Sequence, residues 1–201
     1  AGSAPPVASG RADHGGNVVG ALHSLVEIME AKDGFSVGFV RRVVALSGRI
    51  ADEMGLSPEA RQSVTLAGLV HDIGRVALSD RVLKRSGRPL TAAERKHVQS
   101  HPVVGERILR HLFLKMEILA AVRHHHEWYD GNGYPDGLKG EAIPLGARIL
   151  AVADAYVAMT QDRPYRRARS KSSALREIRS HEGTQFCPEA VAALARVLEA
   201  W

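Results

Sequence analysis

At 201 residues, with 45% hydrophobic and 24% charged side chains, the chain is long enough for one soluble domain with a substantial core. Its single cysteine, Cys187, excludes an intramolecular disulfide, and no apolar run is long enough to span a bilayer or is patterned as a signal peptide. A formal net charge of +5 and a sequence pI of about 9.7 favour anionic partners, whether nucleotide, nucleic acid or acidic surface, without choosing among them.

Residues 1–17 are rich in Gly, Ala, Ser and Pro and read as a linker or cloning remnant, with the domain proper over 18–201. Val18, Leu22, Leu25, Val26 and Met29 recur at helical spacing up to Ala31, and Lys32-Asp33-Gly34 breaks the pattern. Ser36 is the expected cap of a second helix that runs to Met54 and ends at Gly55. Ser57-Pro58-Glu59 opens a third, which closes on His71-Asp72. Residues 75–89 read as irregular and basic. Thr91-Ala92-Ala93-Glu94 is a capping box whose helix is expected to carry both His97 and His101 before Pro102 breaks or kinks it. A further segment covers 103–112, and a helix is expected over 114–127. Beyond a glycine-rich loop, an Ala-rich helix covers 144–159. Amphipathic helices over 172–181 and 188–201 follow, separated by Gly183. Strand-like alternation is absent, so the sequence predicts an all-α helical bundle.

Candidate chemistry concentrates in His124-His125-His126-Glu127 and the loop that follows to Gly137. Neutral imidazole suits zinc, iron, nickel or copper. The plainer reading is a His-rich helix terminus that complements the helix dipole. Two more clusters weigh against it. His71-Asp72 closes an apolar helix, and an Asp can reach two metals through its two oxygens. His97 and His101 are four apart and share a face if one helix carries both. Asp154 sits among small and apolar residues, where a carboxylate is costly unless paired or metal-bound. An exposed position is its alternative. Histidines and carboxylates from several helices can build a multi-metal site in a bundle core.

The pattern resembles the HD-GYP branch of the HD metal-dependent phosphohydrolases. The matching residues are His71-Asp72-Ile73-Gly74, His101-Pro102-Val103-Val104-Gly105, and His125-His126-Glu127 with Asp130 through Gly137. Ala151-Val152-Ala153-Asp154-Ala155 and Asp162-Arg163-Pro164-Tyr165-Arg166 match as well. The resemblance implies a helical bundle that holds two divalent metal ions, iron or manganese by family habit, with zinc or nickel also compatible with the donors. It implies His71, Asp72, His101, His125, His126 and Asp154 as ligands, with Asp72 bridging. His97 and His124 fall off the motif and are assigned to the surface. Gly133, Tyr134 and Pro135 would wall the substrate, and Arg75, Arg163 and Arg166 would face its phosphates or guanines. The implied activity is hydrolysis of cyclic di-GMP to pGpG or GMP, with Asp72 and Arg75 at the reacting phosphate. DNA is not an expected partner. A GGDEF-type diguanylate cyclase, a fused receiver or sensor domain, or a second copy of the chain are, in a cytoplasmic setting.

Two departures bear on activity. Phe39 stands where the family places a histidine ligand, and Phe35 where trinuclear members place a glutamate. Neither ring can bind a metal. Arg75 replaces the usual lysine, keeping the charge but changing its shape. Three readings follow: an active phosphodiesterase, a degenerate domain that binds nucleotide or protein without turnover, and a phosphohydrolase for another nucleotide.

Overall fold

The computed structural model describes residues 14–33, 38–83, 89–112, 114–162 and 167–200. Among these there is no named strand, only an isolated bridge between Glu182 and Phe186, so the fold is all-α as expected. The helices are α1 (His14–Asp33), α2 (Phe39–Glu53), α3 (Pro58–Val70), α4 (Asp80–Leu83), α5 (Ala92–Val98), α6 (His101–Arg110), α7 (Met116–His124), α8 (Leu145–Thr160), α9 (Lys171–Ser180) and α10 (Pro188–Glu199). None of them is long and apolar enough to cross a membrane.

Start signals in the sequence act as their chemistry dictates. The Ser57 hydroxyl accepts from the Ala60 amide and Pro58 occupies the first turn of α3. Thr91 and Glu94 close a complete capping box on α5. The N-cap of α2 is Gly38, at φ 87°, a left-handed conformation that favours glycine. Ser36, the expected cap, lies outside the described residues. α1 starts at His14, inside the stretch expected to be linker.

Two expectations need correcting. The stretch over 75–89 is not all irregular: a 3₁₀ turn (Ile73–Ala77) and α4 occupy much of it, too short to show a period but anchored by buried Ile73, Leu78 and Val82. His97 and His101 do not share a helix. α5 ends at Val98 and α6 begins at His101, because Pro102 cannot donate a backbone bond and clashes with the preceding turn, yet suits the first turn of a new helix.

Register between helices decides which residues can meet. Gly68 faces the Val44 backbone and Gly48 faces Thr65, so α2 and α3 run antiparallel. Gly68 also faces Leu150, and Gly146 faces Val64, so α3 and α8 run parallel. That second register carries forward to set Asp154 level with Asp72. The first sets Phe39 level with the end of α3. Aliphatic side chains fill the space between, with Val43, Ile50, Leu109, Ile149, Leu150 and Leu194 wholly buried.

Candidate metal centre

Three histidines reach the centre by one local device. His71 caps the end of α3, His125 caps the end of α7, and His101 stands just past α5. The last carbonyls of a helix lack intrahelical partners. Each ring's Nδ1 takes one: Gly68 O at 2.8 Å, Val98 O at 2.8 Å and Val122 O at 2.7 Å. A carbonyl only accepts, so Nδ1 donates, and in the neutral ring the lone pair sits on Nε2, aimed inward.

Those inward atoms converge. His101 Nε2 lies 3.4 Å from His125 Nε2 and 3.1 Å from Asp72 Oδ1. His71 Nε2 is buried without a hydrogen-bond partner, 3.6 Å from Asp72 Oδ2 and 3.8 Å from Asp154 Oδ1. Asp72 thus turns one oxygen to His101 and the other to His71. His126 completes the ring cluster, 4.1 Å from His125 and 5.1 Å from His101 between centroids. One donor atom each from Asp72, His101, His125 and His126 all lie within 4.8 Å of one another, close to the roughly 4.2 Å that separates opposite ligands of a single ion. Two Nε2 lone pairs face each other at this range, an arrangement a cation resolves and an apolar filling does not. The residues fit a divalent metal.

Charge tuning agrees with that fit. Burial works against the Asp72 charge, yet Arg75, His71 and His101 together hold its carboxyl well below the usual range. Burial, reinforced by neighbouring rings, holds His125 well below the usual imidazole value and pushes His126 down to about 3. Both rings are neutral at pH 7, the form that ligates. Arg75 donates to Asp72 Oδ2 at 3.0 Å. Tyr134 stacks on His126 at 5.0 Å, following the cis Tyr134–Pro135 turn at the mouth of the cluster. Burial, with the Asp72 and Asp154 charges, raises its hydroxyl pKa, so it keeps its proton.

Other residues settle as follows. His97 is exposed. His124 is not a surface residue: its side chain is 13% exposed and its Nδ1 faces Glu127 and Asp136, both at 3.6 Å, because the loop folds back over it. Phe39 is buried in the apolar core at the start of α2. Phe35, Arg163 and Arg166 lie outside the described residues. Sequence reasoning missed the work of Gly74. A Cβ there would stand 1.9 Å from the His101 carbonyl oxygen, so only glycine lets the 3₁₀ turn press against α6 and bring Asp72 to His101. It also missed Glu127, 2% exposed, whose Oε1 accepts the Asp136 amide at 2.7 Å. The signal was a carboxylate three residues after His124.

An HD domain family model matches residues 23–190. The chain belongs to the HD domain family. With His71-Asp72 at the centre and Gly133-Tyr134-Pro135 beside it, it is an HD domain of the HD-GYP type. Divalent metal binding goes with that family, and the His/Asp cluster supplies the donors. The cyclic di-GMP phosphodiesterase response regulator RpfG of Xanthomonas campestris is 40% identical over 178 residues, 87% of this chain and 47% of that protein. A Thermotoga maritima cyclic di-GMP phosphodiesterase is 38% identical over 179 residues, 88% of this chain and 48% of that protein. The 3′3′-cGAMP-specific phosphodiesterase 1 of Vibrio cholerae is 35% identical over 158 residues, 79% of this chain and 36% of that protein. This HD domain therefore spans about half the length, or less, of these curated relatives. Among solved structures, the V. cholerae cyclic GMP-AMP phosphodiesterase V-cGAP3 superposes with a TM-score of 0.69 at 20% identity, over 89% of this chain and 48% of that one. The HD domain of Listeria monocytogenes PgpH gives 0.61 at 14% identity, over 89% and 96%. At these identities the likeness is one of fold.

Proposed function

We propose that the domain is a metal-dependent phosphodiesterase that hydrolyses cyclic di-GMP to pGpG, GMP or both. One observation carries this reading: inward Nε2 atoms and the carboxylates of Asp72 and Asp154 converge in one cluster. Relatives named as cyclic di-GMP phosphodiesterases at 38–40% identity supply the substrate class. His71, Asp72, His101, His125, His126 and Asp154 would hold two divalent ions, iron or manganese. Such ions, when bound, polarise phosphoryl oxygens and lower the pKa of water. Asp72 stays ionised and neutralises positive charge through both oxygens. The Arg75 guanidinium sits 3.0 Å from that carboxylate, within reach of a phosphate placed over it. Tyr134 retains its proton and serves as a hydrogen-bond donor at the rim. In the overall step water bonds to phosphorus and the 3′ oxygen leaves with a proton.

One observation favours a second reading. Phe39 is 3% exposed and offers no donor at a position level with Asp72. A domain with a metal position weakened in this way would bind cyclic di-GMP, or a diguanylate cyclase, without turnover. The deciding experiment loads the purified chain with Fe(II) or Mn(II), measures metal per chain, and follows products from cyclic di-GMP and 3′3′-cGAMP. Turnover of cyclic di-GMP supports the enzyme. Tight binding without product supports the second reading. Full metal with neither binding nor turnover of either dinucleotide sinks both.

A further inference from the structure

Arg123 and Asp136 lie far apart in sequence, yet they form a two-pronged ion pair: Nε to Oδ2 at 2.7 Å and Nη2 to Oδ1 at 2.9 Å. The remaining Nη1 donates to Glu106 Oε2 at 2.9 Å. Glu106 comes from α6, is 8% exposed, and is also gripped by Arg110. One guanidinium thus joins α6, the end of α7 and the loop. The planar fork fixes direction as well as distance, which a lysine would not. Asp136 is held a second time through its backbone, whose amide donates to buried Glu127 at 2.7 Å. Two residues earlier, the Tyr134 amide donates to the His126 carbonyl at 3.2 Å and its ring lies on the His126 ring. Arg123 and Asp136 are not among the clustered donors at the centre. They hold the piece of chain that covers it.

We propose that Arg123 and Asp136 are positioning residues. They latch residues 131–137 so that Tyr134 stays against His126, and thereby set how tightly the centre grips its phosphodiester substrate. The substrate half of this proposal rests on the phosphodiesterase reading above. A merely structural ion pair would lower melting temperature and leave substrate affinity alone.

The test uses the full metal-loaded chain, with Arg123→Gln, Asp136→Ala and the double variant. Three quantities are read: hydrogen exchange at the Tyr134 amide, metal per chain, and kcat and KM for cyclic di-GMP. Each single variant is expected to speed Tyr134 exchange about tenfold while amides in the middle of α7 keep their rates. KM should rise about five- to tenfold with kcat changed less than about twofold and metal per chain unchanged. The double variant should be no worse than the worse single, because one latch can be opened only once. Unchanged Tyr134 exchange overturns the latch. A lower melting temperature with unchanged KM overturns its role in substrate grip. A parent chain that does not process cyclic di-GMP overturns the phosphodiesterase reading and the substrate half with it, while the exchange result still decides the latch.

Discussion

α3 and α7 have very different surroundings at their two ends. Their C-terminal ends hand the chain to His71 and His125. Their N-terminal ends, with the start of α8, enclose a groove of about 630 Å³ lined by residues such as Leu56, Val64, Met116, Ala120 and Leu145. The groove is the larger and more apolar feature, yet the reactive donors are at the other end. Helix physics accounts for the division. C-terminal carbonyls are unsatisfied and carry the negative pole of the dipole, so they orient imidazoles and favour cations. N-terminal amides are satisfied by ordinary means, the Ser57 cap on α3 and first-turn Glu59 and Glu117. What remains there is apolar wall. Donor density marks this site, and cavity size does not.

The sharpest way to break the comparison is at the ligand end. His125→Ala removes both a ring donor and the cap on the Val122 carbonyl. Metal per chain should fall, and hydrolysis of cyclic di-GMP should drop by at least about 100-fold, beyond the loss that outer partners of a metal site cause. Elemental analysis beside a turnover assay checks it. Retained metal with full turnover would show that the converging Nε2 atoms are not the site. Gly74→Ala should follow, since a methyl 1.9 Å from a backbone oxygen forces the 3₁₀ turn off α6. We expect a loss of about 3 kcal/mol, read as a lower melting temperature. Gly146→Ala at the groove end is the control. Its Cβ would meet the Ala121 methyl at 3.2 Å, and it should stay within about 1 kcal/mol of the parent.

Much of this division was legible in the sequence. Ser57-Pro58 and Thr91–Glu94 mark helix starts because their side-chain chemistry is local. His71, Asp72, His101, His125 and His126 stand out as donor types at the ends of apolar runs. What failed was long-range or depended on a single backbone event. Pro102 moved His101 from the end of one helix to the start of the next, so the shared face with His97 vanished, although the freed Val98 carbonyl gave His101 its orientation. His124 looked like surface because nothing nearby in sequence shows Asp136 folding back onto it. The Glu106–Arg123–Asp136 connection is a product of tertiary packing that helical periodicity does not encode.

Phe39 tests the ligand end in the opposite direction. It stands level with Asp72 by the register of α2 on α3, where the family pattern has an imidazole. Phe39→His is expected to raise metal per chain and hydrolysis of cyclic di-GMP. If the new ring finds no metal, it instead leaves a buried polar group that costs about 1–3 kcal/mol. Melting curves with and without added metal separate the outcomes. No gain in either metal or activity, together with brisk turnover by the parent, would mean the missing histidine never mattered.

The smallest expected effect concerns acid stability of the ion-pair network that joins the loop to the ligand end. Burial opposes the Glu106 charge, but hydrogen bonds and charge from Arg110 and Arg123 outweigh it and lower its pKa. The Arg123 hydrogen bonds lower that of Asp136. Groups whose folded pKa is depressed stabilise the fold above their unfolded values, near 4, and lose that contribution as pH falls through the folded values. Asp136 is 36% exposed on its side chain and screened by solvent, so its share is small and the buried Glu106 dominates. Arg123→Gln should therefore cost about 1–2 kcal/mol at pH 7. Denaturant melts of parent and variant from pH 7 down to about 3 should show the gap closing below about pH 4, where the carboxylates protonate in both. A gap that stays constant through that window would mean Arg123 stabilises by packing of its stem, and that its charge contributes nothing to holding the loop.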